Sequence, residues 1–118
     1  MEIFVTKVRD SVRLISIAEI ETNSVVRVDV DGRSAVAVFR LENDFYVTDD
    51  LCTHGNASLS DGEIIDGEVE CPFHGGSFDI RTGAACKYPC TSALTVYPAQ
   101  VEEGWVCAAL QHGSRITD

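Results

Sequence analysis

Two short segments constrain this chain more than anything else in it: Cys52-Thr53-His54-Gly55 and Cys71-Pro72-Phe73-His74-Gly75-Gly76. Each supplies one thiol and one imidazole, two or three residues apart, with glycine directly after the histidine. Thiolate and imidazole suit zinc or an iron–sulfur centre, whereas calcium and magnesium want oxygen ligands. The fold is therefore expected to carry both segments as loops that meet at one tip. Four such residues flanked by glycines have no packing rationale as an unliganded core. A structural zinc site accepts two Cys and two His, but zinc modules more often pair cysteine with cysteine and histidine with histidine. The mixed pairs favour iron–sulfur and leave zinc as the alternative.

Cys52-x-His54 and Cys71-x-x-His74 resemble the two cluster-binding loops of the Rieske family, and Gly75, Phe78-Asp79 and Thr82-Gly83 match the second loop's usual continuation. The resemblance implies one [2Fe–2S] cluster, with Cys52 and Cys71 on the inner iron and His54 and His74 on the outer one. It also implies a soluble, monomeric one-electron carrier, a Rieske ferredoxin. Such a carrier passes electrons from an NAD(P)H-dependent flavin reductase to a terminal ring-hydroxylating oxygenase, docking both partners near His54 and His74. A Rieske small subunit of an assimilatory nitrite reductase is the runner-up, and a zinc-binding interaction module the third reading.

The resemblance carries further expectations. Respiratory Rieske proteins have an additional cysteine in each loop, joined as a disulfide; Ala57 and Phe73 stand at the matching places here, so that bridge cannot form. High-potential members carry a serine and a tyrosine after the second loop's histidine, whose hydroxyls bond to sulfur. Gly76 and Phe78 stand there instead, which predicts a midpoint near the low end of the Rieske range, around −150 mV. Phe78→Tyr with Gly76→Ser is expected to raise it, and Ser77 is the one nearby hydroxyl that would reach a sulfur if the loop ran differently from the family's. Pro89 is the candidate for a proline segment packed over the cluster.

Nothing else in the chain carries catalytic machinery. Beyond His54 and His74 there is only His112, in a polar tail where a solvated role is expected, so a 2-His-1-carboxylate iron site lacks material. No Gly-rich dinucleotide fingerprint is present. The chain reads as an electron-transfer component, not an enzyme. Cys86, Cys90 and Cys107 remain outside the motif; an odd remainder without an export signal reads as free thiols in a reducing compartment. The first residues carry charge too early for a signal peptide, and no apolar run reaches the roughly 20 residues of a membrane helix, which places the protein in the cytoplasm.

The formal net charge is −10, from 19 acidic against 9 basic residues. Nucleic acid is excluded as a partner, because phosphate binding needs a basic face. Acidic residues crowd the motif: Asp49, Asp50, Asp61, Glu63, Asp66, Glu68, Glu70 and Asp79. Most are expected to solvate the surface, with a subset steering a basic docking face on the partners.

The remaining pattern is strands and turns. Strands are expected at Ile3–Arg9, Ser24–Asp29, Ser34–Leu41, Phe45–Val47, Ser77–Ile80, Leu94–Val101 and Trp105–Leu110, with Pro98 marking an edge or bulge. Asp31-Gly32 and Asp66-Gly67 read as tight hairpin turns, and Glu103-Gly104 as the turn into the strand from Trp105. Val12–Glu21 reads mostly as loop, and Ala84–Ser92 as loop. No segment has helical periodicity or repeats. The fold class is all-β: one domain over residues 1–118, with a Rieske-like β-sandwich or partly open barrel base (roughly 1–48 and 85–118). A small cluster-binding subdomain (roughly 49–84) sits on one end.

Overall fold

The computed structural model describes residues 11–73 and 75–116. The strand expected at Ile3–Arg9 and the ligand expected at His74 lie outside the described residues. In chain order the strands are β1 (Val12–Ser16), β2 (Ser24–Val28), β3 (Val36–Leu41), β4 (Asp44–Asp49), β5 (Glu63–Ile65) and β6 (Glu68–Glu70). They continue with β7 (Ser77–Asp79), β8 (Ala85–Lys87), β9 (Val96–Tyr97), β10 (Ala99–Glu102) and β11 (Trp105–Ala108). Three antiparallel sheets result, ordered β1-β11-β10, β2-β3-β4-β9 and β5-β6-β7-β8. None closes into a barrel. Among the described residues no helix is long and apolar enough to cross a membrane.

The nearly unbroken apolar run of β3 has a simple cause: this strand has a core on each face. Side chains alternate along a strand, so Val36 and Val38 enter one core with Ile15, Ile20, Val47, Val106 and Ala108. That core is the filling of a two-sheet sandwich. Ala37, Phe39 and Leu41 enter the other, with Leu59, Val69, Phe78, Ile80, Leu94 and the thiols Cys52, Cys71 and Cys90. The second core joins the small sheet β5–β8 to the sandwich, and the motif cysteines lie inside it.

Two turns match the sequence closely. Asp66 and Gly67 both have positive φ between Ile65 and Glu68, which are paired, and Glu103-Gly104 does the same between Glu102 and Trp105. These are the geometries whose twist suits a two-residue hairpin. Asp31-Gly32 is looser than expected: Val28 pairs with Val36, and a turn closed by Arg33 N–H on the Val30 carbonyl sits within residues 29–35.

Two expected loops are strands. Val12–Ser16 pairs with β11, and its alternation is irregular because the register shifts between Arg13 and Ile15; a bulge sends successive side chains out of phase. A 3₁₀ turn, Ile17–Glu19, follows it, with the Ser16 hydroxyl accepting from Ala18 N–H. Ala85–Lys87 is an exposed edge strand on β7, again across a register shift, so no apolar face announces it. Pro98 acts as a corner. Val96–Tyr97 pairs with β4, Ala99–Glu102 pairs with β11, and the chain changes sheet at the residue without an N–H.

Candidate metal centre

The two motif segments fold into loops of one design. Cys52 N–H donates to the Ala57 carbonyl at 2.9 Å, and Cys71 N–H donates to the Gly76 carbonyl at 2.7 Å. Each cysteine thus closes a loop onto the residue five positions on. The first loop leaves β4 through Asp50, which is buried and receives two backbone donors: Ser60 N–H at its carboxylate (2.9 Å) and Leu59 N–H at its carbonyl (2.7 Å). The second is held between β6 and β7, where Glu70 pairs with Ser77. Both loops are therefore carried by rigid strands, as positioning of a cofactor requires.

The thiols meet. Cys52 and Cys71 are 2% and 1% exposed, and the two sulfurs are within mutual reach, burial and the Cys52 sulfur together pushing the Cys71 thiol up. Cys90 joins them from a distant segment, with its Sγ 3.8 Å from Cys52 Sγ. Burial first, then the charge of Cys52, pushes its thiol up to about 12. His54 stands exposed two residues from Cys52, and its own N–H donates to Cys52 Sγ at 3.4 Å.

This donor set fits an iron–sulfur group. Thiolates crowded in an apolar site repel one another and lose hydration, so both ionise readily only around a cationic centre. A cluster with two irons asks each for two protein ligands. Among the described residues no three His, Cys, Asp or Glu side chains are arranged to hold a single metal ion.

The chain matches the Rieske [2Fe-2S] domain family over residues 10–98. It belongs to the Rieske family. Ferredoxin CarAc of Metapseudomonas resinovorans is 42% identical over 92 residues, covering 78% of this chain and 86% of the relative. The ferredoxin component of the p-cumate 2,3-dioxygenase system of Pseudomonas putida is 42% identical over 98 residues, covering 82% and 83%. A solved complex of reduced oxygenase and oxidised ferredoxin in carbazole 1,9a-dioxygenase contains a chain that superposes with a TM-score of 0.81. Identity there is 39%, over 86% of this chain and 94% of that one. One [2Fe–2S] cluster is the cofactor of this Rieske chain.

Around the second Rieske loop the structure corrects one expectation and decides another. A Cβ on Gly76 would lie 2.5 Å from Cys90 Sγ, 2.9 Å from Cys90 N and 3.0 Å from the Lys87 carbonyl oxygen. Gly76→Ser therefore cannot simply add a donor; it displaces the backbone of the Cys90 segment. Ser77 is buried but spends its hydroxyl on Glu68 Oε1 at 2.6 Å, so it does not serve the sulfurs.

Sequence reasoning missed Cys90, Gly62 and the structural task of Asp50. Cys90 follows Pro89, the residue expected over the cluster, and that adjacency was the only available signal. The acidic stretch is also less free than its composition suggests. Asp49 accepts from Arg33 and Tyr97, and Asp79 accepts from Arg81 and Thr82 N–H.

Proposed function

We propose that this chain is the one-electron carrier of an aromatic-ring-hydroxylating dioxygenase system, receiving electrons from a flavoprotein reductase and delivering them to a terminal oxygenase. Cys52 and Cys71 would hold the inner iron, and His54 and His74 the outer one. The observation that carries this is the pair of equivalent loops whose thiols meet in the core while His54 stands at the surface. When bound, the cluster supplies reversible one-electron exchange and offers no open coordination position to a substrate. The protein's own part is positioning. Two rigid loops bury the cysteines, and His54 gives the electron a short route across a partner interface. The whole of residues 1–118 forms one domain in this reading, with the small sheet β5–β8 as its cluster-binding part, and the protein works in the cytoplasm.

The direct test mixes purified protein with NADH, a flavoprotein reductase and a ring-hydroxylating oxygenase. Reduction by the first partner and reoxidation by the second are expected on a stopped-flow timescale. Association with a sirohaem protein, and no transfer to an oxygenase, would instead support the nitrite reductase reading.

Two quantitative expectations follow. The exposed Glu63 faces the half-buried Glu70, the residue before Cys71, across β5 and β6. Like charges directly opposite cost stability, so packing gives no reason for this pair, and its field is available to steer a partner. Transfer rates to both partners should fall as salt rises past about 0.1 M, where the Debye length is about 10 Å. A rate flat with ionic strength leaves apolar contact as the docking force.

The second concerns the midpoint. Neither Gly76 nor Phe78 donates, and Ser77 is engaged elsewhere. Hydrogen bonds to a charged acceptor contribute roughly 1.5–3 kcal/mol, more to the reduced state, and a tenfold change in equilibrium is about 59 mV for one electron. Losing two partial contributions lowers the midpoint by on the order of 100 mV, to around −150 mV. Phe78→Tyr alone is now the variant expected to raise it. A dye titration with a midpoint well above zero refutes the argument.

A further inference from the structure

The space beside Gly76 is taken by the sulfur of Cys90. Cys90 is 3% exposed and lies in the apolar core with Cys52, Cys71 and Phe78. Its Sγ approaches Cys52 Sγ at 3.8 Å across 38 residues of sequence, within the range of a sulfur–sulfur hydrogen bond. Geometry alone leaves the donor open. Ligation settles it, because a cysteine bound to iron is a thiolate with no proton. Cys90 belongs to neither loop and keeps its S–H, because burial in an apolar core disfavours the thiolate.

On the ligand reading proposed above, we infer that Cys90 tunes the centre by donating its S–H to the Cys52 sulfur, which favours the reduced state. Cys90 acts through Cys52 and touches no iron. One electron enters on reduction, the charge of the centre with its two thiolates goes from zero to −1, and no bond is made or broken. The proton stays on Cys90 Sγ. A hydrogen bond to an acceptor strengthens as the acceptor becomes more negative, so the S–H stabilises the product of reduction more than the reactant. Cys52 Sγ also accepts the His54 backbone N–H at 3.4 Å, a donor that no side-chain substitution removes. Cys90 is thus the adjustable one.

The test uses the cluster-loaded full chain, with iron and sulfide measured before each redox titration. Cys90→Ala should retain the cluster and lower the equilibrium constant for reduction roughly threefold to tenfold, a drop of about 30 to 59 mV for one electron. Cys90→Ser restores a donor, and a stronger one than a thiol, so its midpoint should equal or exceed that of the unaltered protein. An unchanged midpoint in loaded Cys90→Ala overturns the inference. So does a loaded Cys90→Ser whose midpoint falls below the unaltered value, and this arm decides alone if Cys90→Ala fails to fold. A Cys90→Ser chain that folds without two irons makes the residue a ligand or a purely structural one and also overturns it. Unaltered protein without iron and sulfide would sink the ligand reading itself, a result distinct from all the others.

Discussion

Anaerobically purified protein is expected to carry about two irons and two acid-labile sulfides per chain, and replacing Cys52, Cys71, His54 or His74 with Ala should remove the cluster or leave it unstable. The effect of the cysteines should be the larger. Cys52 and Cys71 are buried together with Cys90, so no water can take the place of a missing thiolate without entering an apolar core. Loss of His54 opens its position to solvent instead, since His54 is exposed, and a partly loaded, short-lived cluster is the expected result. Metal analysis with an absorption spectrum distinguishes these outcomes. One stoichiometric zinc without acid-labile sulfide would sink the iron–sulfur reading and restore the zinc one.

The second large effect is expected at a residue with no chemistry of its own. Gly62 joins the 3₁₀ turn Leu59–Asp61 to β5, with an extended backbone (φ −90°, ψ −176°) that any residue can adopt. Its importance is contact. A Cβ there would fall far inside van der Waals contact distance of the Glu70 carbonyl oxygen, and it would also crowd the Glu70 carbonyl carbon at 3.1 Å and the Leu59 carbonyl oxygen at 3.2 Å. All three atoms are backbone, so no side chain can swing away. Glu70 precedes Cys71 directly, and the strain would reach the second loop. Overpacking of this kind costs about 3 kcal/mol at the upper end of its usual range. For a domain of this size that corresponds to a drop in Tm on the order of 10 °C. Thermal unfolding of Gly62→Ala checks it, and a Tm within about 2 °C of the unaltered protein would show that the loop yields freely. Gly76→Ala should behave similarly, for its obstacles include the backbone of Cys90 and Lys87.

The acidic residues teach a related lesson about reading charge. Asp50, Asp79 and Asp49 stand close in sequence to the exposed Asp61, Glu63 and Asp66, and nothing in composition separates the two groups. Tertiary structure does. The first three hold turns and a cation in place, while the second three face solvent.

Local chemistry was legible in the sequence. The paired Cys/His segments named the donor set, because soft and borderline ligands at that spacing admit few metals. Asp66-Gly67 and Glu103-Gly104 named their hairpins, because both positions of the turn need positive φ. The all-β class followed from short alternating runs, and β3 showed its double burial as a continuous apolar stretch. What the sequence could not carry was every relation between distant residues. β1 read as loop because its bulge scrambles the alternation that a reader relies on, and β8 because an exposed edge strand needs no apolar face. Pro98 signalled irregularity, but only the pairing of β9 with β4 and of β10 with β11 makes it a corner. Cys90 lies 38 residues from Cys52, and its approach depends on Gly76 having no side chain. A sequence states which residues can donate, bend or bury; which of them meet is decided by how strands far apart in the chain pair and pack.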